Sequence, residues 1–260
     1  RVLFRSLAPG SVSWVSYGDR LMEFPTSLLG IAMGTLLLPS LSQANAAGNT
    51  QRYSDLLDWG LRLALLLATP AMVGLALMAK PLTALLFHYG AFNTHDLLMT
   101  SHTVRAYGAG LVALTAVRIL APGFFAKQDV RTPVKIAVFT LVVTQLMNLA
   151  FVGPLQHVGL SLSVGLGACL NAGLLFTLLR KHGIYQPSKG WGIFLIKIVL
   201  SLVVMGGGLW AAHTYLPFDW VHVGALRKAG QLCILIAIGG GLYFVSLATL
   251  GFRPRDFKRV

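Results

Sequence analysis

Long apolar runs separated by short polar breaks occupy almost the whole chain. Seven of these runs, at residues 12–38, 58–79, 103–125, 134–153, 157–180, 191–214 and 229–250, are near the length that crosses a bilayer. About twenty apolar residues carry an α-helix through roughly 30 Å of hydrocarbon, so each run is read as a transmembrane helix. Pro39 and Ser40 end the first run, and a polar stretch from Ser42 to Asp55 follows it. Pro81, the segment Ala126 to Pro133, Gly153-Pro154, the segment Gly183 to Lys189 and the segment Pro217 to Lys228 mark the other breaks. A β-barrel is excluded, because its strands are about ten residues of alternating pattern and these runs are continuous. A helix satisfies its own backbone in hydrocarbon. The pattern therefore predicts an all-α integral membrane protein with about seven transmembrane helices. Arg1 to Ser6 do not continue the pattern and are read as a non-native start, and the chain opens as if cut from something longer.

Composition agrees. Hydrophobic residues make up 55% of the 260, charged residues 11%, and the mean hydropathy is +0.71; an average soluble domain carries roughly 25% charge. A net charge of +13 would suggest nucleic acid in a soluble protein, but here Lys and Arg cluster between apolar runs as topology signals do. If the C-terminus is cytoplasmic, that side holds Arg52, Lys127, Arg131, Lys135, Arg180, Lys181, Lys189, Arg253, Arg255, Lys258 and Arg259, and the other only Lys80, Arg105, Arg227 and Lys228. This bias places the first span's start outside, as expected if further helices precede it. Cys169 and Cys233 lie inside apolar runs and read as small buried hydrophobes, with neither metal nor disulfide spacing.

Few residues could carry chemistry. Asp19, Arg20 and Glu23 stand in the first half of the first span. A charge inside a span costs roughly 2.5–3.5 kcal/mol on insertion scales, so three together are not aimed at lipid. Two readings fit: a water-filled cavity where Arg20 binds an anion, as guanidinium does with phosphate, or an interfacial cluster at the helix end. Thr140, Thr144 and Asn148 recur every four residues on the fourth span, beside Gln145, and either join helices or line a cavity. Arg118 either faces a cavity or snorkels. Lys197 reads as snorkelling and Arg62 as interfacial. The small-residue sets Gly30/Gly34, Gly206–Gly208 and Gly239–Gly241 read as close packing. His88, His95 and His102 recur every seven residues, but Gly90 and Asn93 interrupt them; a solvated loop is expected there, with no metal site. No nucleophile elbow, Walker loop or zinc-protease motif is present, and with eight acidic residues the chain is poor material for acid–base catalysis.

Three stretches carry a family resemblance. Asp19-Arg20-Leu21-Met22-Glu23-Phe24-Pro25, running on through Gly30-Ile-Ala-Met-Gly34 to Leu38-Pro39-Ser40-Leu41-Ser42, resembles the eighth helix of the MurJ/MviN lipid II flippase family. So do the run from Leu120 to Lys135 and the set Gln145 to Asn148, Gly159 to Ser163 and Cys169 to Asn171. The resemblance covers essentially everything after about Leu7 and is close to the gammaproteobacterial kind.

The resemblance implies two lobes of six helices with two further helices at the C-terminus. Residues 7–190 would be the C-terminal lobe from its eighth helix, and 191–260 the two additional helices with a basic cytoplasmic tail. It implies a transporter of the bacterial inner membrane, not an enzyme, which moves undecaprenyl-pyrophosphate-linked peptidoglycan precursor by alternating access. Arg20 would line the central cavity and bind substrate with Asp19 and Glu23 beside it, and Ser13, Arg118 and Asn148 are further cavity-lining candidates. The family's alanine before Asp19 is Gly18 here, a change expected to have little effect. No cofactor or metal is implied beyond a coupling cation or membrane potential; some members are thought to bind sodium between the seventh, eleventh and twelfth helices, to which Asn148 could contribute. The last two spans would form a lipid-facing groove for the isoprenoid tail. Implied partners are lipid II, membrane lipids, the absent N-terminal lobe and cell-wall synthesis machinery, and no nucleic acid. The lobe of another polysaccharide-lipid flippase or multidrug exporter of the superfamily is the alternative; a membrane enzyme on prenyl-linked sugars or a structural subunit of a cell-wall complex fits less well.

Overall fold

The structure, a computed structural model, describes residues 10–216, 220 and 223–252, apart from the side chains of 29 and 31–33. The reading of Arg1 to Ser6 as foreign and the basic tail beyond 252 lie outside the described residues. The chain forms α1 (Ser11–Ala46), α2 (Thr50–Leu86), α3 (Thr94–Leu120), a short α4 (Pro122–Phe125), α5 (Arg131–Lys181), α6 (Trp191–Tyr215) and α7 (Ala225–Thr249). Among the described residues there is no strand, and five helices are long and apolar enough to cross a membrane.

One of the five, α5, is two antiparallel arms. Gln156 takes φ 50 and ψ −132, which breaks the helical path two residues after Pro154. A Cβ on Gly159 would lie 2.5 Å from the Phe151 carbonyl oxygen, and one on Gly167 would meet Thr144 Oγ1. In a continuous helix residues 144 and 167 would stand about 35 Å apart. The arms are therefore the expected fourth and fifth spans, and α1, free of Asp, Glu, Lys and Arg from Phe24 to Leu41, supplies the seventh pass.

The helices overrun the expected spans. Side-chain caps explain this: Asn49 accepts from Arg52 N (2.9 Å) at the start of α2, and Asn93 and Asp96 form a capping box at the start of α3. The histidine stretch is therefore corrected. His95 and His102 lie on α3, and the His95 ring meets Trp14 edge-on at 5.5 Å. No metal-holding group of His, Cys, Asp or Glu exists among the described residues.

Helix α3 is the hub, packed against α1, α2 and α5. Its Gly110 meets Gly165 of α5 backbone to backbone, so a Cβ at 110 would run into Gly165 Cα. Leu21, Ala68, Leu75, Val104 and Leu111 join α1, α2 and α3, while Leu41, Tyr53, Leu57, Phe124 and Leu179 close the end where α1 meets α2. Helices α6 and α7 pack on each other and reach the rest of the bundle mainly through α2.

Other readings also change. A Cβ on Gly208 would run into Leu242 and one on Gly239 would lie 3.2 Å from Leu209, but Gly34, Gly206, Gly207, Gly240 and Gly241 have open space where a Cβ would go. Cys169 and Cys233 are exposed rather than buried, since lipid can solvate a thiol that water would push inward. Lys197 Nζ reaches to 3.9 Å from a Cβ position at Gly251, the C-terminal end of α7, as a snorkelling lysine does. Gly18 is not neutral. It is buried, and a Cβ there would sit 2.6 Å from Thr103 Cγ2 and 3.5 Å from Tyr107 Cδ2, so glycine sets how closely α1 approaches α3.

Two outcomes follow for thermal unfolding of the purified protein in detergent. Gly110→Ala should lower Tm, because overpacking against backbone costs about 1–3 kcal/mol, whereas Gly206→Ala should leave it unchanged or slightly raised, helical Gly being about 0.5–1 kcal/mol worse than Ala. Gly18→Ala should also lower Tm, and Thr103→Ser, which removes the Cγ2 methyl, should restore most of that loss in the double variant; additive losses would disprove the contact.

Candidate functional site

Helix α1 has a packed face and an open one. Trp14, Leu21, Met22, Thr26, Leu37 and Leu41 are buried against its neighbours. Ser13, Ser16, Arg20, Glu23 and Ser27 recur at intervals of three and four, which puts them on one face. The first four of these are exposed, as is Asp19 at the margin of that face. Among the described residues Arg20 makes no ion pair or hydrogen bond, even with the two carboxylates beside it. Three charges on a membrane helix without mutual neutralisation need water around them. A guanidinium with its five donors unengaged can take two oxygens of one anion.

Arg118 comes to the same helix from α3. Its Nη1 donates to the Thr26 carbonyl, and its guanidinium lies where a Cβ on Gly30 would go. Gly30 continues the series Ser13, Ser16, Arg20, Glu23, Ser27. Arg118 is exposed and bonded to α1 rather than extended along α3. It stands about 9–15 Å from Arg20 along α1, at 1.5 Å per residue.

Asn148 lies on α5. It is buried at 8% exposure in the α5 hairpin, its Nδ2 faces Gln145 Oε1 at 3.5 Å, and its Oδ1 has no partner. Thr140 and Thr144 turn towards the second arm and line a pocket of about 260 Å³ with Gln145, Asn171 and Leu114, and Asn148 is not part of its wall. The structure thus places Ser13, Asp19, Arg20 and Glu23 along the open side of α1, with Arg118 bonded to the same helix further on, and buries Asn148 in the α5 hairpin.

An apolar groove of about 580 Å³ adjoins the charged face. Leu21, Phe24 and Pro25 of α1 form one edge, Pro70 to Leu86 of α2 the floor, and Met205, Leu209, Leu232 and Leu235 of α6 and α7 the far wall. Arg20 and Leu21 are chain neighbours, as are Glu23 and Phe24, so the charged face and the groove meet along one turn of α1. Nothing in the sequence pattern of the last two spans pointed to α1 as the groove's edge. Sequence reasoning also missed Asp58, which is 5% exposed and holds four hydrogen bonds and an ion pair to Arg62; the Asp58/Arg62 spacing of four was its one visible signal.

The sequence and the fold both match known proteins. A family model described as lipid II flippase MurJ matches residues 1–228. The lipid II flippase MurJ of Burkholderia cenocepacia is 49% identical over 256 residues, which are 97% of this chain and 49% of that protein. A probable lipid II flippase MurJ of Vibrio cholerae is 35% identical over 253 residues, 97% of this chain and 48% of that one. The chain spans about half the length of these relatives. A solved structure of lipid II flippase MurJ in an inward closed conformation matches with a TM-score of 0.78 at 22% identity, covering 96% of this chain and 48% of that one, a likeness in fold. The helices of membrane length and these matches describe a multi-pass protein of the bacterial inner membrane. With the match running from residue 1 to 228, the chain belongs to the lipid II flippase MurJ family.

Proposed function

We propose that this chain is the C-terminal half of a transporter that carries lipid II, a polyprenyl-pyrophosphate-linked peptidoglycan precursor, across the membrane. The observation that carries the reading is the junction on α1: an unpaired Arg20 on the open face, next to Leu21 on the groove's edge. That junction suits a molecule with an anionic head and a long apolar tail. The relatives' names supply the particular substrate.

In this reading Arg20 takes the pyrophosphate by paired hydrogen bonds. Asp19 and Glu23 moderate the local charge, so the anion is released as well as bound. Arg118 is a second cation on the same face. Ser13 and Ser16 offer hydroxyls above Arg20, and the tail stays in the groove. Alternating access needs a second lobe to close the cavity, which the other half of the relatives' length provides. The end of the bundle rich in Lys and Arg faces the cytoplasm, which puts the C-terminus there. Direction comes from the membrane potential, worth about 2.3 kcal/mol per charge per 100 mV, or from a coupling cation; the unpaired Asn148 Oδ1 is one ligand available for such a cation. Cell-wall synthesis enzymes that consume the precursor outside are the expected partners.

Complementation of a strain depleted of its own lipid II flippase tests this, with the full-length gene and expression checked. The intact gene should rescue growth. Arg20→Ala should lyse, and Arg20→Lys should rescue weakly, because an ammonium keeps the charge but not the bidentate geometry. Rescue by Arg20→Ala at wild-type level would remove Arg20 from the site, and failure of the well-expressed intact gene would point to another prenyl-linked substrate. Arg118→Ala should slow growth without abolishing it, and Arg118→Lys should recover part of the loss.

A further inference from the structure

The groove's two walls belong to parts of the chain that are joined weakly. Its floor is α2, its far wall is α6 and α7, and these reach the rest of the bundle mainly through α2. Apolar packing alone does not fix such a joint in lipid, because lipid tails are as apolar as the side chains they would displace. Directional polar bonds must set the register.

Such bonds cross from α2 at three places. Near its middle, Tyr243 Oη donates to the Leu66 carbonyl at 2.8 Å. Near its C-terminal end, Lys228 Nζ lies 3.5 Å from the Ala84 carbonyl. At its other end Asp58 gathers the linker between α5 and α6. Its Oδ1 accepts from Tyr185 Oη at 2.7 Å, Trp191 Nε1 at 2.7 Å and Ser188 N at 3.3 Å, and its Oδ2 from Ser188 Oγ at 2.6 Å. Arg62, one turn on, pairs with Asp58 Oδ2 at 2.9 Å, donates to Ser188 Oγ at 2.6 Å, and lies over the rings of Trp191 and Phe194 at 5.2 and 5.5 Å. Ser54 adds a pair of bonds to the Gln186 backbone. Burial, and then the Asp58 carboxylate, push the Tyr185 phenol above its ordinary pKa, so it remains a donor. Trp191 is the first residue of α6, and Gly190 before it has φ 95, a left-handed conformation that turns the linker into the helix.

We propose that Asp58 is a positioning residue for the apolar groove: by seating the α5–α6 linker and the first residue of α6 on α2, it fixes the spacing between the groove's floor and its far wall. The occupant it serves is the polyprenyl chain, so this rests on the lipid II reading above. Asp58 touches no substrate and acts through α6. A groove held at fixed width gains most for a chain long enough to fill it, since preorganisation removes an ordering cost from binding.

The test uses the full-length protein in lipid nanodiscs. Cys169 and Cys233 are replaced by Ser, and spin labels are placed at the exposed positions Leu77 of α2 and Val245 of α7. The parent should give one narrow distance distribution. Asp58→Ala should broaden or shift it, and Tyr185→Phe, which removes one donor and leaves the carboxylate, should do so less. Asp55→Asn, at a half-buried carboxylate that accepts from Gln51, should match the parent. In the transport arm, Asp58→Ala should raise KM for a long-chain lipid II about threefold or more while leaving KM for a short-chain analogue nearly unchanged. An unchanged distance distribution in both Asp58→Ala and Tyr185→Phe would overturn the proposal, and so would equal losses on the two chain lengths. The distance arm needs no substrate, so it separates failure of the positioning role from failure of the lipid II reading.

Discussion

Hydrocarbon offers no water to a carbonyl whose helical partner is missing, and that constraint governs how the outer pair of helices is attached. Proline has no N–H, so Pro70 leaves the carbonyl of Leu66, four residues earlier, without its bond. Tyr243 of α7 fills the gap at 2.8 Å and is itself fully buried. The carbonyl of Ala84 lies in the last turn of α2, where no further N–H follows, and Lys228 answers it with a charge that also suits the helix dipole. Around Pro25 of α1, Thr26 Oγ1 donates to the Met22 and Glu23 carbonyls, and Arg118 donates to the Thr26 carbonyl. The two carbonyls that α2 leaves free thus become contact points for α7.

The same accounting separates two kinds of buried-region charge. Asp58 is saturated: four hydrogen bonds and an ion pair compensate its desolvation, and removing a partner from such a group typically costs about 3–5 kcal/mol. Arg20 is the opposite, an exposed cation that makes no hydrogen bond or ion pair among the described residues. A charge kept on a membrane helix and left unspent by its neighbours is one held for something that comes and goes. The contacts of Asp58 suit a structural role, and the exposure of Arg20 suits the binding role proposed for it.

Exposed apolar surface has to be sorted in the same way. The first arm of α5 shows Val134, Val138, Phe139, Leu141, Val142, Leu146 and Leu149 outward, as lipid-facing or lobe-facing helices do. The groove differs because it is concave and bounded by three separate parts of the chain, and because its edge on α1 shares a turn with Arg20 and Glu23. Concavity beside charge is what makes it a candidate site.

Sequence determined a good deal here. Run length and punctuation gave the seven passes, including the hairpin that the structure folds at Gln156, because the number of residues needed to cross hydrocarbon is fixed by helix geometry. The cost of charge in a span singled out Asp19, Arg20 and Glu23 before any contact was known. Only the tertiary structure decided which faces meet. Gly18 and Gly110 mark close approaches while Gly34 and Gly206 mark none, and one glycine looks like another in a sequence. Asn148 turned into its hairpin and Arg118 onto α1, since either side chain could serve several faces and packing chose. Asp58 went unremarked because three of its four partner residues, Tyr185, Ser188 and Trp191, lie some 130 residues away, and no local pattern records a meeting that distant.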